Sequence, residues 1–357
     1  MARTQRRAPR SIVAVACAIG SLIVAACGPA TTEPVDPARS LAATGDGAPD
    51  ASVGLLRPTA VAVQVPPDSV VAFDPTALES IATVQVGGDP LLLAVAGGHI
   101  WTADLADGAL SRIDPVTLER TQVRLQTDIV GIGATPNDVW AAVADRRLVR
   151  LRGSTGEESA SFELAKEPLF RLRDAGFLAV DGDTAWVTIP VLGQSSAPQS
   201  LWRVDLADGS LVSRHDIGRD PLTPIVAFGG VWVPTRGARD LVRVDAVTGE
   251  RSVTTLEDDP AVIAAGADSL WVGLGRSKAV LRLTPDADQE VARVAVGSEI
   301  RGVTFAQDLL WVATERSVTA IDPVTNAVAI ELPFESESGQ GPIGIAELAG
   351  RIWVSVE

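Results

Sequence analysis

The chain has 357 residues, 46% hydrophobic and 21% charged, with 30 basic against 45 acidic side chains and a formal net charge of −15. This composition is globular, and the acidic surplus excludes a nucleic-acid partner, because phosphates would be repelled by the field of the whole surface. Beyond the N-terminal segment there is no apolar run of about 18 residues, which excludes an internal membrane-spanning helix.

Arg3, Arg6, Arg7 and Arg10 precede a mostly apolar run from Ser11 to Ala26, and no acid occurs before Cys27. A basic stretch followed by an apolar run too short to span a bilayer reads as an export signal over 1–26. Its ending, Val24-Ala25-Ala26-Cys27, resembles a bacterial lipobox. The resemblance implies cleavage before Cys27 and acylation of its sulfur; an ordinary signal peptide with a chance cysteine is the alternative. The expectation is an exported protein, lipid-anchored to the outer face of a bacterial membrane, at the cell surface or in the periplasm. Cys17 would leave with the signal, so Cys27 would be the only cysteine and no intramolecular disulfide is expected. From Cys27 onward the balance is 26 basic against 45 acidic residues, or −19.

Residues 27–67 are rich in Ala, Pro, Thr, Asp and Gly without sustained periodicity, as in GPATTEPVDP and ATGDGAPDA. They read as the lipidated N-terminus and a flexible linker. A repeat then occupies 68–357. Trp101, Trp140, Trp186, Trp232, Trp271, Trp311 and Trp353 follow one another at steps of 39, 46, 46, 39, 40 and 42 residues. Around each, an apolar strand, a tight turn, a tryptophan-bearing strand, a third strand and an Asp-Pro or Asp-Gly type turn recur, and no segment has helical periodicity. One aromatic anchor per unit of about 40 residues predicts an all-β, seven-bladed β-propeller of four-stranded antiparallel blades. The last unit supplies only GPIGIAEL and RIWVSV, whereas SVVAFDPTALESIATVQV (69–86) is an orphan third and fourth strand. Pairing them would close the ring and remove two exposed edges; six blades with separate terminal hairpins is the alternative.

The unit LVRVDAVTGERSVTTLEDDPAVIAAGADSLWVGL resembles the YVTN/YncE-like propeller repeat, with tryptophan where that pattern usually has tyrosine, and the resemblance covers 68–357. It is also similar to the virginiamycin B lyase propellers. The resemblance implies the fold; activity does not follow from it, because propellers host many functions.

Residues that recur in most units read as architecture. The seven tryptophans are expected to pack between blades. Arg112, Arg150, Arg203, Arg243 and Arg282 are expected to serve structural pairing, and Asp74, Asp114, Asp205, Asp245 and Asp322 to bond their own turns. Asp89, Asp220 and Asp259 recur in GGDP, GRDP and EDDP, which favours a turn role over a metal role. Residues that break the repeat are the functional candidates. Expanded segments at 165–176 and 188–200, with PTRGARD and GLGRSKA in the next two blades, would share one face around the channel mouth. They would gather Arg171, Arg173, Arg219, Arg236, Arg239, Arg276, Lys278 and Arg301 into a candidate binding face for a carboxylate, phosphate or acidic segment. Asp220, Asp240 and Glu299 are the acids expected to neutralise it. His99 and His215 lie in different blades, and no spacing suits a metal or a catalytic triad. No catalytic residue, metal or cofactor is therefore assigned.

The function expected is a monomeric binding or scaffolding module, with an unknown protein, glycan or small-molecule ligand and the membrane, through Cys27, as partners. One alternative is a metal-dependent lyase or hydrolase of the virginiamycin B lyase or lactonase kind. A further one is a component of an envelope assembly complex.

Overall fold

Short apolar strands joined by tight turns can bury both faces only by stacking sheet on sheet, and this chain does so seven times. A computed structural model describes residues 62–104, 108–164, 178–189, 199–336 and 341–357, all within one compact unit. The expected signal peptide, Cys27 and most of the expected linker lie outside the described residues.

Blade 1 runs through Pro90–Ala96, His99–Asp104, Ala109–Ile113 and Arg120–Arg124, and blade 2 through Ile129–Ala134, Asp138–Val143, Arg147–Arg152 and Glu158–Glu163. Blade 3 comprises Leu178–Asp181, Thr184–Ile189, Gln199–Asp205 and Leu211–Gly218; blade 4 Ile225–Ala227, Gly230–Thr235, Asp240–Asp245 and Arg251–Thr255. Blade 5 comprises Pro260–Gly266, Ser269–Leu274, Ala279–Leu283 and Glu290–Ala295; blade 6 Ile300–Ala306, Leu309–Thr314, Ser317–Asp322 and Ala327–Ser336. Blade 7 is composite. Pro342–Leu348 and Arg351–Val356 are followed in the sheet by Ser69–Asp74 and Glu79–Gln85, with Ser69 opposite Val356 and Phe73 opposite Ile352. The expected closure is thus present, and no helix occurs among the described residues.

The expected linker ran to Pro67, but Val63–Val65 is a strand. It pairs in parallel with Ala327–Ser336, Val63 opposite Phe334, and makes blade 6 five-stranded. Val65 and Phe334 are buried there, which the sequence alone hides because three residues are too few to display a period.

Burial follows position in the blade. The second strands of blades 2, 4 and 5 are buried throughout, whereas outer strands such as Glu158–Glu163 alternate between half-buried and exposed. The seven repeating tryptophans are all buried. In five blades the tryptophan lies directly opposite the repeated arginine of the third strand, and in four of these the guanidinium stacks over the indole at 4.8–5.8 Å. In blades 6 and 7 the opposing residues are Ala320 and Ala72. Each turn aspartate accepts backbone N–H bonds from residues two or three further on, at 2.7–3.0 Å, as expected of Asx turns. An eighth tryptophan outside the period, Trp202, is buried on the third strand of blade 3 with Arg214 over its ring at 4.3 Å.

The first strands line the central channel, and glycines let them approach. A Cβ at Gly302 would come within 2.2 Å of Ile343 O, and one at Gly344 within 2.7 Å of Leu91 O.

Candidate functional site: the channel mouth

The connections between blades and the turns between second and third strands converge on one end of the channel. In blades 1, 5 and 6 the first strand enters through a β-bulge: the register skips Leu91, Ala261 and Arg301. A bulge turns its extra residue away from the ladder, and all three line a cavity of about 660 Å³ at the mouth. Arg236, from the Thr235–Asp240 turn, and Arg276, from the Leu274–Ala279 turn, complete its cationic side. Asp89, Asp259, Glu299 and Glu357 are its acids, and deeper residues such as Leu93, Ile263, Ile343 and Ile345 make an apolar wall.

Three of the eight candidate residues therefore share one cavity: Arg236, Arg276 and Arg301. Arg239 joins them through Asp259, which accepts from Arg239 Nε at 2.9 Å and from Arg276 Nε and a terminal nitrogen at 2.9 and 2.8 Å. Arg219 donates to Gly237 O at 3.2 Å and so belongs to the same loop cluster. Lys278 is exposed in the turn that carries Arg276 but does not line the cavity. Arg171 and Arg173 fall on residues that are not described.

Asp259 pairs with Arg239 and Arg276, where the acids expected to do so were Asp220, Asp240 and Glu299; of these, Glu299 lines the cavity. Asp240 instead accepts from Thr255 Oγ1 at 2.9 Å, and Asp220 sits in the left-handed region at φ 51°, its carbonyl accepting from the Arg236 N–H at 3.0 Å. The expected turn role for Asp89 and Asp220 agrees with their positive φ values. Sequence reasoning missed Asp258. Its carboxylate is buried and accepts from the Asp259 N–H at 2.7 Å and the Ser277 N–H at 2.6 Å. Burial pushes its pKa up, but the bonds from Ser277 and Asp259 outweigh this and hold it below the usual carboxylate value. Asp258 thus clamps the Arg276 turn to the blade entry; the doubled aspartate of EDDP was its only signal.

Arg239 and Arg276 are about half and two-thirds exposed, so each pair with Asp259 contributes at most about 1 kcal/mol. An incoming carboxylate or phosphate can exchange with Asp259 at small cost and take a bidentate fork from either arginine. His99 and His215 are remote from one another in blades 1 and 3: His99 Nδ1 lies 2.8 Å from Gly97 O, and His215 Nε2 lies 2.9 Å from Ser213 Oγ. Desolvation, then the charge of Arg203, lowers the His215 pKa. Among the described residues no three His, Cys, Asp or Glu side chains come together as a metal site.

No protein-family model matches the chain, and no curated protein matches it either. Solved structures share the fold. The crystal structure of BamB from Moraxella catarrhalis aligns with a TM-score of 0.53 over 84% of this chain and 98% of that chain, at 13% identity. At that identity the likeness is one of fold, and the fold is a seven-bladed β-propeller.

Proposed function

We propose that the chain is an exported lipoprotein, acylated at Cys27, whose propeller is a binding module that takes an anionic group at its channel mouth. The observation that carries this reading is the convergence of Arg236, Arg276 and Arg301 on one cavity of about 660 Å³ in a protein that is otherwise strongly acidic. The cavity's arginines stand against four acids, so selection for an anionic group comes from the directed guanidinium forks of Arg236, Arg276 and Arg301 and not from net positive charge. The ligand chemistry is that of a carboxylate, borne by a small molecule or by an acidic segment of a partner, including a partner in an envelope assembly. The metal-dependent lyase or hydrolase alternative gains no support from the described residues, because no ligand set converges at the mouth.

The test is calorimetric titration of the detergent-solubilised full chain with citrate, with arabinose as a neutral control. Citrate binding that weakens at least about tenfold in Arg236→Gln and Arg276→Gln, which is about 1.4 kcal/mol for each, supports the reading. Binding that is absent, or unaffected by both substitutions, overturns it.

A further inference from the structure

We infer that the face opposite the channel mouth carries a second site, between blades 2 and 3, that binds a neutral polyhydroxylated ligand such as a sugar residue.

The seams between blades are sealed on this face by a recurring device. An arginine of one blade donates to the hairpin turn of the next: Arg112 to Ser154 O, Arg203 to Ala246 O at 3.2 Å, Arg282 to Asn326 Oδ1 at 2.9 Å, and Arg351 of blade 7 to Pro115 O at 2.7 Å. Blade 2 departs from it. Arg150 turns back to Asp138 of its own blade at 2.6 Å. The Leu206-Ala207 turn of blade 3 then faces Arg150 across a cavity of about 430 Å³, within the range of small-molecule sites, about 300–1,000 Å³. Arg243 of blade 4 also turns back, to Asp245, but there Thr254 Oγ1 crosses the seam to Ala287 O at 3.2 Å.

Two buried donors stand at this cavity. Trp232, Trp271 and Trp353 each give their indole N–H to a carbonyl five residues earlier, at 3.0–3.2 Å. Trp140, only 2% exposed, has no acceptor for its indole N–H among the described residues, and neither has Arg150 Nε–H. Both residues line the cavity. The wall on the blade 3 side offers acceptors, the exposed Asp181 and Asp183 in its turn, and Asp138, already bonded to Arg150, adds a third carboxylate on the blade 2 side.

This pairing selects the ligand class. A carboxylate or phosphate offers acceptors to Trp140 and Arg150 but meets three aspartates. An ammonium group suits the aspartates but leaves the two N–H donors unpaired. Hydroxyl groups donate and accept at once and satisfy both walls. The site is independent of the arginines at the channel mouth.

Full-length chain labelled with ¹⁵N and held in detergent has eight tryptophans, each giving one indole N–H signal, with that of Trp140 assigned by its loss in Trp140→Phe. Glucose, mannose and N-acetylglucosamine are titrated in, with lysine and tetraglycine as charged and peptide controls. The expected result is a saturable shift of the Trp140 signal with at least one sugar, weakened about tenfold in Asp181→Asn or Asp183→Asn. Both aspartates lie in an exposed turn, so these variants keep the fold and stay informative if Trp140→Phe does not. If no sugar moves the signal by about 10 mM, the inference is overturned. A response to tetraglycine alone also overturns it and points to a peptide contact instead.

Discussion

Trp271 and Trp311 occupy the same position in adjacent blades and are both fully buried, yet the same substitution should affect them differently. Trp271 donates its indole N–H to Gly266 O at 3.0 Å and carries Arg282 over its ring at 4.8 Å. Trp311 faces Thr304 and Ala320 across the sheet and has no acceptor for its N–H among the described residues. Trp→Phe at either site removes about 1 kcal/mol of apolar burial. At 271 it also removes a hydrogen bond, about 1 kcal/mol, and weakens a cation–π contact, about 0.5–1 kcal/mol, for a total of about 2.5–3 kcal/mol. At 311 the lost burial is offset by removal of an unsatisfied buried donor, also about 1 kcal/mol, and the net change is about zero. Urea unfolding followed by near-UV circular dichroism measures the gap, and scanning calorimetry should show it as a Tm difference of about 5 °C. Equal losses in the two variants would refute the assignment of these energies to the hydrogen bond and the stacked arginine.

Other consequences are open to direct measurement. The Asp245 carboxylate has its pKa lowered to about 2, first by the Thr248 N–H and then by the Val247 N–H. Its turn should therefore be fully stabilised above the unfolded aspartate value of about 3.9 and lose that support as pH falls through 2; a carboxyl ¹³C titration with Asp245→Asn as control reads this. Phe73, fully buried in the strand that closes the ring and 6.0 Å from the Phe334 ring, should cost about 3–5 kcal/mol on replacement by alanine, seen as a lower urea midpoint. Gly302→Ala forces a Cβ against Ile343 O and should destabilise by about 1–3 kcal/mol, measured the same way. If Cys27 is acylated, Cys27→Ala should move the protein from the membrane pellet to the soluble fraction; a chain that stays in the pellet argues against the anchor.

The blade count, the strand assignments and the closure of the ring were legible because each blade solves the same local problem. A second strand buried on both faces is apolar around its tryptophan, so phrases such as VWAAV and LWVGL repeat at the period of the blade. The orphan strands at 69–86 were recognisable for the same reason: SVVAFDPT carries the Asx turn that also ends the third strands of blades 1, 3, 4 and 6. The strand Val63–Val65 was not legible, since it is held by the outer edge of blade 6 and carries no unit of the repeat. Trp202 was missed because it lies outside the tryptophan period.

The channel mouth was legible only in kind. Arginines in the loops of blades 4 and 5 marked a face, but Arg301 reaches the cavity through a bulge that no local pattern announces. Asp259 became the partner of Arg239 and Arg276 because the entry to blade 5 passes between two turns. The seam at Arg150 is more tertiary still: its arginine is the one the repeat prescribes, and only the register of blade 3 against blade 2 leaves it facing a cavity. Periodic burial is a local property, carried by each strand within its own residues. Which donor meets which acceptor is decided only when seven sheets close into a ring and set residues far apart in sequence side by side.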